Sequence, residues 1–232
     1  MKIKICGFND SQSIAAVGHE DIDFIGMEFR DNIARHISNM PTPAGTTIDK
    51  PFFRLEESDG RKGGGKSVRK EKGKGYVGVF ADQSPQHIIS CAYNYNFDYI
   101  QLNGGEKPVY IANFLATTVP DILPDVKIIK TLYVGADNSL PEWREYSGLA
   151  DILMFEFTSP CPAGSDRLHV FESYDGDMPF LVSGINSPQE IMRLKGLHHE
   201  RFLGINIYYA THERFTSADL ARIRFVTEKI RA

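Results

Sequence analysis

The sequence predicts an α/β protein folded as a single (β/α)8 barrel, a TIM barrel, over residues 1–232. Three observations lead there. Eight strand-like runs recur along the chain, helical signals fall between them, and 232 residues suit one barrel domain with a sizeable core. Strands alternating with helices also fit an open, doubly wound sheet. The count of eight and the length favour the closed barrel, and no G-x-G-x-x-G follows a strand to make a dinucleotide-binding turn.

The first run is Lys2-Ile3-Lys4-Ile5-Cys6, in which isoleucine alternates with lysine and Gly7 ends the pattern. Period two is the mark of a strand with one buried face. The other runs are 22–29, 76–81, 97–102, 126–134, 151–157, 179–183 and 202–208. Several are apolar almost throughout, as strands covered on both faces should be. Between them, Ser84-Pro85 opens a helix carrying Ile88, Ile89 and Ala92. Ser139-Leu140-Pro141-Glu142 and Ser187-Pro188-Gln189-Glu190 read as capping boxes, a serine N-cap with glutamate three residues on. The stretch 216–231 places Leu220, Ile223, Val226 and Ile230 at helical spacing. A strand, Ser-Pro-Gln and an apolar helix follow one another at both 79–89 and 181–192, an echo compatible with a repeated βα unit.

One region breaks this rhythm. Residues 40–75 hold no convincing amphipathic helix and read as a long, irregular, basic insertion between the second and third strands, replacing or extending the second helix region. Thr42-Pro43-Ala44-Gly45 is turn-like, and 59–75 has the composition of a flexible basic loop. Residues 60–67 match the phosphate-loop pattern G-x-x-x-x-G-K-S, but that loop must follow a buried strand and open a helix. Here Leu55-Glu56-Glu57-Ser58 precedes it and a charged run follows, so a mobile loop whose lysines attract an anionic substrate is the better reading.

Composition narrows the function. A net charge of −4 argues against a dedicated nucleic-acid binder. Cys6, Cys91 and Cys161 are odd in number and widely spaced, which suggests neither a disulfide framework nor a zinc site and fits a reducing compartment. Neither a signal peptide nor an apolar stretch of membrane-spanning length is visible, so a soluble cytoplasmic protein is expected. No metal site is expected at His198-His199-Glu200 or His212-Glu213, because adjacent histidines do not share a helix face and no third ligand is indicated. Phe24, Phe29, Phe80 and Phe155 read as barrel core, and Trp143 as helix–barrel packing. Cys6, at a strand tip, reads either as a small buried hydrophobe or as a reactive group.

Several segments together carry a resemblance. They are Lys4-Ile5-Cys6-Gly7, the strand 23–29, the segment Ala34-Arg35-His36-Ile37-Ser38, Val77-Gly78-Val79-Phe80 with Gln83-Ser84-Pro85, the motif Gln101-Leu102-Asn103-Gly104-Gly105-Glu106, and the stretches 151–156, 179–185 and 204–213. In this order and spacing the chain resembles the phosphoribosylanthranilate isomerase family across nearly its whole length outside about 40–75. The resemblance implies a (β/α)8 barrel, a phosphorylated small-molecule substrate, no cofactor, no nucleic acid or membrane partner, and a monomer or homodimer. It also implies an Amadori rearrangement of N-(5-phosphoribosyl)anthranilate in tryptophan biosynthesis.

By that resemblance Cys6 is the general base and Glu156 the general acid, a glutamate where the family has aspartate. A nearby cation must favour the thiolate, and Lys4, which shares the strand parity of Cys6, is a candidate whose direction the sequence does not fix. Arg35 matches the arginine that holds the anthranilate carboxylate. Asn103 stands where the family has histidine, and Gly105 where it has aspartate. The phosphate turns are represented by Gly164, by Ser183 and Gly184, and by Ala210, with Asn206 in place of an aspartate. Tyr208 and Tyr209 bring bulk to a turn that the family builds from small residues. The alternative reading is a diverged barrel that binds a different small anion, or has lost catalysis and serves as a binding or regulatory module.

Overall fold

The computed structural model describes residues 1–31, 37, 53–57, 66–118, 121–137, 139–158, 167–185, 188–209 and 215–232, with the side chains of 66, 67 and 188 excepted. Eight parallel strands close into a barrel: β1 (Lys2–Phe8), β2 (Phe24–Glu28), β5 (Gly75–Phe80), β6 (Tyr99–Leu102), β7 (Lys127–Val134), β8 (Ile152–Phe157), β9 (Phe180–Ser183) and β10 (Phe202–Tyr208). Around the barrel the order is β1-β10-β9-β8-β7-β6-β5-β2, so apart from the small sheet described below sequence neighbours are spatial neighbours and β10 pairs with β1. These are the eight runs expected from the sequence, with ends moved by a few residues.

Parity explains what each strand contributes. Ile3 and Ile5 of β1 join the core between barrel and helices, with Ile25 and Met27 of β2. Cys6, Phe24, Val77, Val79, Ile129, Ile152, Met154 and Leu181 fill the barrel interior. At its lower end Phe24 and Tyr99 meet edge to face with centroids 5.4 Å apart. Gly75 makes that possible, because a Cβ there would lie 2.7 Å from one ring and 2.8 Å from the other. The aliphatic layers therefore plug the base, and polar residues are left for the carboxyl ends of the strands, where barrels bind ligands.

Five α-helices occur among the described residues: α1 (Ser11–Gly18), α2 (Pro85–Tyr95), α3 (Pro108–Thr118), α4 (Pro188–Lys195) and α5 (Ser217–Arg231). Asp10 caps α1 through Gln12 N and Ser13 N, and Ser84 caps α2 with Pro85 in the first turn. Thr216 and Asp219 form a reciprocal capping box at α5. Ser187 lies outside the described residues, and Glu190 pairs with Arg167 at 2.7 Å.

Two expectations need correction. The insertion 40–75 is not irregular throughout: β3 (Phe53–Glu56) and β4 (Lys66–Arg69) pair as a separate two-stranded parallel sheet. Phe53, Leu55 and Val68 alternate with polar residues, and all three are buried, Phe53 against the Tyr95 ring of α2. The alternation is so short that surrounding charge hides it. Lys66 and Ser67, the end of the apparent phosphate loop, open strand β4 and not a helix. Residues 40–52 and 58–65 lie outside the described residues.

The second correction concerns Ser139–Glu142, where the capping-box reading predicts a helix. The connection instead carries a three-residue 3-10 turn, Arg144–Tyr146. The Ser139 hydroxyl donates to Asp137 Oδ2 at 2.8 Å, so the would-be cap is taken by a residue two positions back. Gly148 at φ 74 then turns the chain back towards β8. Trp143 packs edge to face on Tyr174, which itself meets Phe155 and Phe180, so an aromatic cluster covers this side of the barrel in place of a helix.

Candidate active site

Lys4 and Cys6 point into the barrel because Ile3 and Ile5 point out of it. Lys4 Nζ donates to Cys6 Sγ and to Asn206 Oδ1 at 3.1 Å, and Asn206 Nδ2 donates to Ser183 Oγ at 2.9 Å. A polar chain thus runs from the thiol across β1, β10 and β9. Gly26 on the adjacent β2 leaves room for it: a Cβ there would lie 3.0 Å from Lys4 Nζ and would overlap Cys6 Sγ. Gly26→Ala is therefore expected to displace the thiol. A shift of about 1 Å at a reacting group costs roughly 100-fold. Steady-state kinetics of the variant would show that loss in kcat/KM, and a value within twofold of wild type would refute the packing argument.

Two residues further along β2, Glu28 is fully buried. Arg30 holds it through Nε at 2.6 Å and Nη2 at 2.8 Å, the bidentate geometry that suits guanidinium to carboxylate. The Arg30 guanidinium also sits 5.5 Å over the Tyr208 ring. From the far wall, β8 contributes Glu156 and β6 leads to Gln101 and Asn103. These groups open onto one cavity of about 590 Å³ at the carboxyl ends of the strands. That is within the size range of small-molecule sites, about 300–1,000 Å³.

The loop after β6 is pinned from below. Lys130 Nζ, buried, binds Glu106 Oε2 at 2.8 Å and Gly104 O at 2.7 Å, while Glu106 accepts from the backbone of Asp82 and Gly104. The glutamate ending the Gln101–Glu106 motif is thus a fastener of the rim and does not face the cavity. The turn after β9 is pinned by Arg167, which donates to Gly184 O at 2.9 Å and lies 4.0 Å over the Phe157 ring. Gly184 has φ 76, and a Cβ there would run into the Phe157 backbone, so no other residue fits this turn without strain.

Burial dominates the electrostatics. It raises the Cys6 thiol above its usual range, against the pull of Lys4. It also raises the Glu156 carboxyl, partly offset by Arg30 and Lys4. Tyr208 is pushed up to about 12 by burial and then by Glu28. The site holds a thiol that resists ionising beside an amine, and a carboxyl that tends to keep its proton.

Of the residues expected from the sequence, the structure brings Cys6, Asn103, Glu156, Ser183, Gly184 and Asn206 around the one cavity. Arg35, Gly164 and Ala210 lie outside the described residues. Tyr208 lines the mouth, but Tyr209 turns away: its hydroxyl bonds Asp219 and its ring meets Phe215. Glu28, Arg30 and the part played by Gln101 were not anticipated as site features. Parity held the signal for Glu28, which shares its face with Gly26 and Phe24. Among the described residues no cluster of three or more His, Cys, Asp and Glu is arranged to hold a metal ion. His199 is engaged by Tyr174 O and by the Arg201 N–H. Among the described residues no helix is long and apolar enough to cross a membrane.

The profile of the family described as N-(5'phosphoribosyl)anthranilate (PRA) isomerase matches residues 59–157. The N-(5'-phosphoribosyl)anthranilate isomerase of Parabacteroides distasonis is 26% identical over 210 residues, covering 89% of this chain and 83% of that protein. The enzyme of the same name from Phocaeicola vulgatus is 25% identical over 210 residues, covering 89% and 86%. Among solved structures, phosphoribosyl anthranilate isomerase from Thermus thermophilus superposes with a TM-score of 0.64 at 15% identity, covering 100% of this chain and 98% of that one. That last likeness speaks for the fold alone.

Proposed function

We propose that this chain, which belongs to the phosphoribosylanthranilate isomerase family, catalyses the Amadori rearrangement of N-(5-phosphoribosyl)anthranilate to 1-(2-carboxyphenylamino)-1-deoxyribulose 5-phosphate, a cytoplasmic step of tryptophan biosynthesis. The observation that carries this reading is the pairing of Cys6, held against Lys4, with Glu156 around one cavity at the carboxyl end of the barrel.

In this reading Glu156 protonates the ribose ring oxygen, the C1–O bond breaks and an iminium forms at C1. Cys6, as thiolate, removes the C2 proton to give an enolamine. The enol hydrogen is lost from the C2 oxygen as C1 gains a proton, leaving the ketone. Lys4 supports the thiolate with its charge. Ser183 and Gly184 take the phosphate, and the family resemblance assigns Gly164 and Ala210 to the same role and Arg35 to the anthranilate carboxylate. Asn103 and Asn206 line the sugar.

The pKa directions give this scheme a pH signature. The reactive form needs protonated Glu156 and ionised Cys6; the upward shift of Glu156 favours that tautomer, and the upward shift of Cys6 opposes it. Both tautomers carry one proton, so kcat/KM follows the singly protonated pair. Activity is expected to rise with pH through a limb above the usual carboxylate range and to fall through a limb above the usual thiol range. Lys4→Met should move the alkaline limb further up, because Lys4 pulls the thiol down more than any other group. A profile with an alkaline limb unmoved by Lys4→Met would count against Cys6 as the base.

The direct test is complementation of a tryptophan auxotroph lacking this isomerase, with Cys6→Ala as control. Growth with the wild type and none with the variant is expected. Failure of soluble, folded wild-type protein to complement would overturn the proposal.

A further inference from the structure

Gln101 is 2% exposed, lines the cavity, and its Oε1 has no hydrogen-bond partner among the described residues. A buried acceptor left unpaired is costly, and a native site bears that cost where a ligand completes it. The side chain is not free to relieve this by turning over. Its Nε2 donates to Asn103 Oδ1 at 2.8 Å and to Thr131 Oγ1 at 3.0 Å.

The polarity of that arrangement is imposed from the rim. Tyr133 OH donates to Asn103 O at 2.5 Å, so its oxygen is left to accept from Asn103 Nδ2 at 2.8 Å. Asn103 must then turn Oδ1 down, where it accepts from Thr131 Oγ1 at 2.8 Å and from Gln101. With both acceptors committed to its amide nitrogen, Gln101 presents Oε1 as the odd atom out. We propose that Gln101 receives a hydrogen bond from an N–H or O–H of the bound substrate, and that the Tyr133–Asn103–Thr131 relay is the positioning device that keeps its carbonyl facing the ligand. This rests on the isomerase reading, whose substrate carries such donors in its anilino N–H and ribose hydroxyls.

The test is binding of the reduced product, in which the ketone is an alcohol, by titration calorimetry alongside turnover of the natural substrate. Gln101→Met keeps the volume and removes the acceptor. It is expected to weaken binding about tenfold, the equivalent of one hydrogen bond. Tyr133→Phe frees Asn103 to reverse its amide and should weaken binding several-fold, while the double variant binds no worse than Gln101→Met alone. Anthranilate and ribose 5-phosphate, tested separately as competitors, identify the donor: the one whose affinity falls in Gln101→Met carries it. Wild-type turnover with unchanged binding to Gln101→Met would sink this inference and leave the isomerase reading standing. Additive losses would remove the relay. Wild-type protein that neither turns over substrate nor binds the reduced product would end both.

Discussion

Replacing Cys6 by alanine should abolish most turnover while sparing the fold. General acid–base groups contribute about 100- to 10,000-fold, so a fall of that size in kcat is expected, with KM changed only a few-fold. The reason is local. The thiol is the group nearest Lys4 that can accept a proton and be held as an anion, and its removal leaves nothing of matching pKa at that position. Alanine leaves a small void, and Lys4 keeps its bond to Asn206 Oδ1 at 3.1 Å, so the melting temperature should move little. Cys6→Ser is an informative second variant. It retains shape and hydrogen bonding but ionises far less readily, and should be nearly as slow as alanine. Purified Cys6→Ala retaining a tenth or more of wild-type kcat would refute the assignment of the base.

The largest stability effect is expected at Arg30. Glu28 is fully buried and Arg30 is its bidentate partner. Arg30→Met strands that carboxylate, and breaking a buried pair on one side typically costs about 3–5 kcal/mol. Urea unfolding would register this as a lowered midpoint at unchanged slope. Adding Glu28→Gln should recover most of the loss, because the double variant buries no unpaired charge. A single variant losing under about 1 kcal/mol, or a double variant no better than the single, would contradict the account. Activity should report the same pair independently. Arg30 lowers the Cys6 pKa and Glu28 raises it, so Arg30→Met alone should carry the alkaline limb of the pH profile upward.

Much of the fold was legible because it is written in local periods. Ile3 and Ile5 against Lys4 and Cys6 is a two-residue alternation that separates the two faces of β1, but it reads as one buried face, whereas the closed barrel buries both, Lys4 and Cys6 as well as Ile3 and Ile5. Ser84-Pro85 and the 216–231 pattern likewise located α2 and α5, whose caps are formed by residues within three positions. Cys6 and Glu156 were legible as strand-end residues within matched motifs. Where local signals misled, a nearer partner had taken the group. Asp137 claimed Ser139, and a charged neighbourhood masked the alternation of Phe53, Leu55 and Val68.

What the sequence by itself determined was therefore the number of the barrel strands, the strand-end positions of the thiol and the carboxyl, and hence the end of the barrel that bears the site. Only the tertiary structure decided which groups meet there. Lys4 reaches Asn206 across 202 residues of chain, Asn103 takes its orientation from Tyr133 on the next strand, and Arg30 is fixed between Glu28 and Tyr208. Barrel closure makes these contacts. Closure depends on register and on small residues such as Gly26 and Gly184 that let strands and turns approach, so the electrostatic character of the cavity is a property of the closed barrel and of no single segment of it.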